Sequence, residues 1–137
     1  MGTEVRKRVA IDVDDTICKT DERYHEILNR EIALYGHDEY LLNRFNYDEV
    51  LKDAMKTAKP FDGAVDFCQY LKDRNYYVVI LTAREEQNYK QITKDWLNDN
   101  QFVFDEVVHN HEKDKYCLNN NVRVLIDDTV EHLTFVQ

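Results

Sequence analysis

The sequence predicts an α/β fold built on a parallel sheet, and three observations predict it. Three apolar runs (8–11, 76–82 and 122–126) each end abruptly in polar residues. Between them lie amphipathic segments of helical period, long enough to cross back over a sheet. The polar residues gather where open α/β sheets carry their sites, at the carboxyl ends of the strands.

The first run, Arg8–Ile11, leads straight into Asp12-Val13-Asp14-Asp15-Thr16. Clustered carboxylates at the end of a buried strand are costly unless a cation offsets them, and hard oxygen donors suit Mg²⁺. Taken alone, the stretch also reads as a solvated acidic turn or a helix N-cap formed by Asp14 or Asp15. Tyr24, Ile27, Leu28, Ile32 and Leu34 then mark a helix from about Asp21 to Leu34, which Gly36 stops. A shorter helix covers Tyr47 to Lys56, with Val50, Leu51 and Met55 on one face. Pro60 separates this helical stretch from Phe61-Asp62-Gly63-Ala64, which opens the helix leading into strand 76–82. That strand finishes in Thr82, with Arg84 just beyond. A helix from Glu85 to Leu97, the turn Asn98-Asp99-Asn100, a short strand Phe102–Val108 and a helix around Lys113–Leu118 precede the last strand, 122–126. It ends in Asp127-Asp128-Thr129, and the remaining residues to Gln137 are expected to begin another helix.

A chain of 137 residues is one domain by size. No apolar run approaches the roughly 20 residues that span a bilayer, and Asp12 interrupts the only apolar stretch near the N-terminus, so a cytoplasmic protein is expected. Cys18, Cys68 and Cys117 lack CxxC spacing and read as reduced, buried thiols rather than a zinc site or disulfide framework. A formal charge of −9 argues against a grip on a nucleic-acid polymer, which needs a basic face. Arg6-Lys7-Arg8 is read as a solvated strand edge, and His109-Asn110-His111 as loop despite spelling HNH.

The ordered motifs resemble those of the haloacid dehalogenase (HAD) superfamily of phosphohydrolases. Asp12-Val13-Asp14-Asp15-Thr16 matches DxDxT; Leu81-Thr82 matches a Thr or Ser after an apolar strand; Lys115 matches the lysine motif; Asp127-Asp128 matches the DD form of the last. Together they run through most of the chain. The resemblance implies a HAD-type Rossmann-like core of residues 1–17 and 61–137, with a small helical cap at 18–60 inserted after the first strand. An oligomer is compatible with it.

It also implies roles. Asp12 would attack phosphorus to form an aspartyl-phosphate, and Asp14 would protonate the leaving group and then activate water. Mg²⁺ would be held by Asp12, the backbone carbonyl of Asp14 and the DD pair, with Asp128 favoured as direct ligand and Asp127 behind it. Thr82 would bind a phosphoryl oxygen, and Lys115 would neutralise both that group and Asp12. Lys113 competes for this role; spacing to Asp127 favours Lys115. Arg84 is read either as a substrate contact or as the partner of a nearby carboxylate. Asp15, where Gly is commoner, is expected to cap the turn.

Within the superfamily, the Asp-x-Asp-Asp-Thr start, short insertion, Leu-Thr-Ala-Arg and Ile-Asp-Asp finish look most like the 5′(3′)-deoxyribonucleotidase-like branch. The expected partner is therefore a small phosphorylated substrate, a nucleoside monophosphate foremost. Tyr24, Tyr35, Tyr40, Phe45 and Tyr47 are candidates for a wall against a base, or for core. A polynucleotide 3′-phosphatase-like enzyme, a sugar or small-metabolite phosphatase, and a noncatalytic Mg²⁺- or phospholigand-binding protein stay open as alternatives.

Overall fold

The computed structural model describes residues 6–128 and 134–135. In chain order the elements are β1 (Arg8–Ile11), α1 (Thr20–Tyr35), α2 (His37–Glu39), a π-helical turn (Tyr40–Arg44), α3 (Tyr47–Thr57), α4 (Ala64–Asp73), β2 (Tyr77–Thr82), α5 (Glu86–Asp99), β3 (Glu106–His109), α6 (Lys113–Asn119), β4 (Val122–Ile126) and β5 (Thr134–Phe135). The sheet order is β3-β2-β1-β4-β5, with the first four strands parallel. No helix among the described residues is long and apolar enough to cross a membrane.

Strands buried on both faces need apolar residues at every position, which is how β1 and β2 read. Val9, Ile11, Val78 and Ile80 pack on one face with Cys68 and Leu71 of α4 and Trp96 and Leu97 of α5. Ala10, Val79 and Leu81 turn to the other face and meet Cys117 of α6 and Leu125. The chain has only three glycines, so other residues supply the left-handed turns that end its helices. Asn75, Gln101 and Asn121 sit at φ 65°, 64° and 56°, each two residues past a helix end. After α4 the N–H of Tyr76 donates to the Leu71 carbonyl and that of Asn75 to Lys72, the Schellman pattern; Phe102 and Gln101 repeat it after α5.

Two details differ from the sequence reading. The third strand is shorter than expected and lies later: Phe102 is a core residue, and pairing begins at Glu106. His109 is thus strand, paired with Thr82, rather than loop. The helix expected after Asp128 falls at 129–133 outside the described residues, while Thr134–Phe135 pairs antiparallel with β4 as a strand.

Residues 18–60 leave and rejoin the core at one place. Cys18 pairs with Pro60, the Lys19 N–H donates to the Lys59 carbonyl, and the Phe61 N–H donates to that of Ile17. Between these ends α1 packs against α3 around Ile27, Val50 and Ala54, a small core separate from that of the sheet. Helix α3 also rests on α5, where the Tyr89 hydroxyl donates to Asp48 at 3.0 Å.

Candidate active site

The register of β1 against its neighbours assembles the site. Ile11 lies beside Ile80 of β2 and Ile126 of β4. The next residues of β1 and β4 are therefore neighbours: Asp12 and Asp127 emerge side by side, and the Asp12 N–H donates to the Ile126 carbonyl at 2.9 Å. Beyond Asp12 the chain turns sharply, because the Val13 carbonyl accepts from the N–H groups of Thr16, Ile17 and Cys18. Asp15 takes φ 62°, and its carboxylate accepts the Asp21 N–H at 3.0 Å, capping the first turn of α1 as expected.

Asp12 and Asp127 are 4% and 6% exposed, so their charges need a partner. It is Lys113. Its Nζ lies 2.8 Å from Asp12 Oδ1 and 2.9 Å from Asp127 Oδ2. Lys115, the residue expected here, instead points outward with its side chain 73% exposed and its ammonium 3.6 Å from Glu112. The correction is one of helix phase. Two residues on a helix are about 200° apart, so only one of this pair can face the sheet. Cys117, one turn after Lys113, is fully buried, whereas Leu118, three after Lys115, is 66% exposed. Cys117 and Leu118 are both apolar in the sequence, so it is the burial of one and the exposure of the other that separates the two lysines.

Carboxylate oxygens of Asp12, Asp127 and Asp128 all lie within 4.8 Å of one another. Burial raises the Asp12 pKa in spite of Lys113. Burial works against the Lys113 ammonium, yet its hydrogen bonds to Asp12 and Asp127 outweigh it and hold its pKa above the usual value. Asp128, hydrogen-bonded to Asp127 and facing both other carboxylates, is pushed up to about 6. Three carboxylates against one ammonium leave surplus negative charge, and the donors are hard oxygens, so the cluster fits a divalent cation such as Mg²⁺. Asp128, exposed, fits a direct ligand, and Asp127, buried and bonded to Lys113, a residue behind it. The Asp14 carboxylate lies outside this group.

Asp14 belongs to a second network. The Arg84 guanidinium meets it from Nε at 3.0 and 3.2 Å and from Nη2 at 2.6 Å, and the Thr20 hydroxyl donates at 2.6 Å. Burial would raise the Asp14 pKa; Arg84 and Thr20 override it and hold the carboxyl below its usual value. Of the two readings for Arg84, the structure shows the carboxylate partner. Arg84 is itself fixed: Nη1 donates to Thr93 at 2.9 Å, its N–H to the Thr82 hydroxyl at 3.1 Å, and its carbonyl accepts from His109 Nδ1 at 2.9 Å. Thr93 was not singled out by sequence, since it looks like an ordinary helix residue, and His109 was noticed only in the tripeptide read as loop. Thr82 ends β2 fully buried beneath this loop.

A cleft of about 370 Å³ opens beside Asp14. Asp15, Thr20 and Asp21 continue its polar side, and Tyr24, Tyr47, Leu51 and Met55 from α1 and α3 form its apolar wall. Tyr24 and Tyr47 lie with ring centroids 6.0 Å apart at 58°. The other aromatic candidates are elsewhere: Tyr40 packs on Phe45, and the Arg44 guanidinium sits over Tyr35 at 4.0 Å.

No protein-family model and no curated protein sequence matches the chain. Solved structures do. A chain of the Pnkp1/Rnl/Hen1 RNA repair complex aligns at TM-score 0.62 and 18% identity over 95% of this chain and 38% of its own. The class C acid phosphatase of Bacillus anthracis aligns at TM-score 0.62 and 14% identity over 90% and 51%. YfnB of Bacillus subtilis, described as a HAD hydrolase and bound to magnesium, aligns at TM-score 0.59 and 13% identity over 95% and 83%. At such identities the likeness is one of fold, and the fold this chain shares is that of HAD-superfamily hydrolases.

Proposed function

We propose that the protein is a Mg²⁺-dependent phosphomonoester hydrolase working through an aspartyl-phosphate on Asp12, with nucleoside monophosphates as its substrates. One observation carries this reading: Asp12, Lys113, Asp127 and Asp128 converge from the ends of β1, α6 and β4. The Lys113 ammonium orients the buried Asp12 carboxylate and favours its anion against the opposing effect of burial, which is what a nucleophile toward a dianionic phosphate requires.

An Asp12 oxygen attacks phosphorus as the bond to the leaving oxygen breaks, and Asp14 supplies the proton that oxygen takes up. Water then attacks the phosphorylated Asp12, giving its proton to Asp14 and releasing phosphate. Lys113 offsets the repulsion between Asp12 and the incoming phosphoryl oxygens. A bound Mg²⁺, held by Asp12 and Asp128 with Asp127 behind and the Asp14 carbonyl completing the set, would neutralise charge developing on those oxygens. With its pKa lowered by Arg84, Asp14 stands ready as the base of the second half. In the first half it donates poorly, so leaving groups of low basicity react fastest. Helices α1–α3 act as the cap that walls off the leaving group, and Thr82 positions a phosphoryl oxygen.

The test is hydrolysis of an aryl phosphate with Mg²⁺, then competition between dTMP and a 3′-phosphorylated oligonucleotide at equal concentration. Activity lost in EDTA, lost in Asp12→Asn and higher in kcat/KM for dTMP is the expected result. Activity that survives chelation refutes the metal-dependent mechanism. A higher kcat/KM for the oligonucleotide transfers the reading to end processing, for which the structural likeness to the RNA repair complex speaks.

A further inference from the structure

The cleft beside Asp14 has an uneven charge. Among the described residues its lining holds three carboxylates, those of Asp14, Asp15 and Asp21, and no lysine or arginine. The two cations of the site are committed elsewhere: Lys113 is held between Asp12 and Asp127, and Arg84 forks onto Asp14 and Thr93. Asp14 is spoken for by Arg84 and Thr20. Asp15 and Asp21 are not neutralised to the same extent. Asp15 accepts only a backbone N–H, and Asp21, with a side chain 70% exposed, faces only the imidazole of His25 at 3.4 Å. Opposite them lies the wall of Tyr24, Tyr47, Leu51 and Met55.

Resting on the hydrolase reading, in which the group that departs from phosphorus sits beside Asp14, we propose that Asp15 and Asp21 make this cleft a charge filter on the leaving group. It admits a flat, uncharged or cationic body against the apolar wall and rejects a leaving group that carries a second anionic substituent. Phosphate itself is served by Lys113, deeper in the site; a further phosphate or carboxylate would sit in a cleft with acidic groups and no cation to meet it. At about 370 Å³ the cleft is near the small end of the roughly 300–1,000 Å³ typical of ligand pockets, which suits a compact leaving group. The substrate class is thus a monophosphate ester of a compact neutral aromatic alcohol or nucleoside, not a bisphosphate, a nucleotide chain or a phosphorylated carboxylic acid.

The experiment uses two esters of equal shape that differ by one charge, 4-carbamoylphenyl phosphate and 4-carboxyphenyl phosphate, with Mg²⁺ and the full chain. Wild type is expected to favour the amide by about 5- to 30-fold in kcat/KM, less at high salt because the side chains are partly exposed. Asp15→Asn keeps the oxygen that caps α1, and asparagine tolerates a left-handed φ, so it removes charge with little strain. In the double variant Asp15→Asn/Asp21→Asn the preference should shrink to about twofold or less, while Asp21→Glu retains it. The same pair is measured in binding, with the non-hydrolysable 4-carbamoyl- and 4-carboxybenzylphosphonates. Discrimination in binding without turnover of either ester would overturn the hydrolase reading and keep the filter. Equal binding of the two phosphonates by wild type, a preference unchanged in the double variant, or binding of neither, would overturn the filter.

Discussion

Lys113→Met removes one charge from the best-defined cluster of the site and keeps most of the buried stem. In wild type its ammonium lies 2.8 Å from Asp12 and 2.9 Å from Asp127, with a side chain 9% exposed. Breaking a buried ion pair from one side costs about 3–5 kcal/mol if the stranded carboxylates stay ionised. They can escape part of that by taking up protons, and this is what would disable the nucleophile. Asp12 already has a raised pKa; without Lys113, two of the influences that lower it are gone, and Asp128 and Asp127 face it unopposed. Since Asp12 attacks only as the anion, activity falls as pH drops through its pKa, and the variant's acid limb should move to higher pH. On top of that comes lost stabilisation of phosphoryl charge, by analogy with oxyanion donors about 10²–10³ in kcat. The assay is a pH–rate profile on an aryl phosphate for Lys113→Met and Lys115→Met, with thermal melts alongside. Lys115→Met should stay within about twofold at every pH, since its ammonium is exposed and 3.6 Å from Glu112. A crippled Lys115→Met beside a near-normal Lys113→Met would refute the assignment.

Mg²⁺ should raise the melting temperature, because a ligand at 100 times its Kd adds about 2.7 kcal/mol to the folded state; Asp128→Asn should lose most of that rise, and an equal rise in both would exclude Asp128 as a ligand. Asp105 accepts Lys72 at 2.7 Å, Arg6 at 3.1 Å and the Val78 N–H at 2.7 Å, so Asp105→Ala should cost about 2–3 kcal/mol in urea melts at pH 7. Its pKa is lowered on folding despite burial, so its stabilisation is full above its unfolded value near ~3.9 and is lost as pH falls through the folded one. The variant should therefore show a shallower acid limb, and parallel limbs would refute the role. Gln101→Gly should stabilise by about 0.5–1 kcal/mol, since Gln101 holds φ 64° without the freedom of glycine; a loss of stability would mean that its side chain contributes more than its backbone strain removes.

The parallel strands could be read from sequence because a strand covered on both faces is mostly apolar, and the runs ending in Asp12, Thr82 and Asp127 are, with Arg123 as the one exposed charge inside the last. Their meeting could be read too, since parallel strands that end in polar residues bring those residues to one edge. Helix phase could not be read by spacing alone: Lys113 and Lys115 lie at similar distances from Asp127 along the chain, and only the burial of Cys117 against the exposure of Leu118 tells them apart. The Asp14–Arg84 fork was open because it joins residues 70 positions apart, a relation that no local pattern encodes. Asn75 and Asn121 hid two helix ends, since asparagine signals a left-handed turn less strongly than glycine.

The paired ends of the helical insertion have a topological consequence. Because Ile17 and Phe61 are hydrogen-bonded neighbours, the core meets residues 18–60 as a single stalk, however long the excursion between them. A two-strand stalk localises any tilt of the insertion, leaving the contact of α3 with α5, with its Tyr89–Asp48 bond, as the lateral strut that sets the angle of lean. A different excursion spliced between the same two positions would keep the strands paired and Asp12, Lys113 and Asp127 together, since all of these lie outside 18–60. It would have to supply anew the hydroxyl that Thr20 gives Asp14 and the carbonyl that Ala58 gives Trp96.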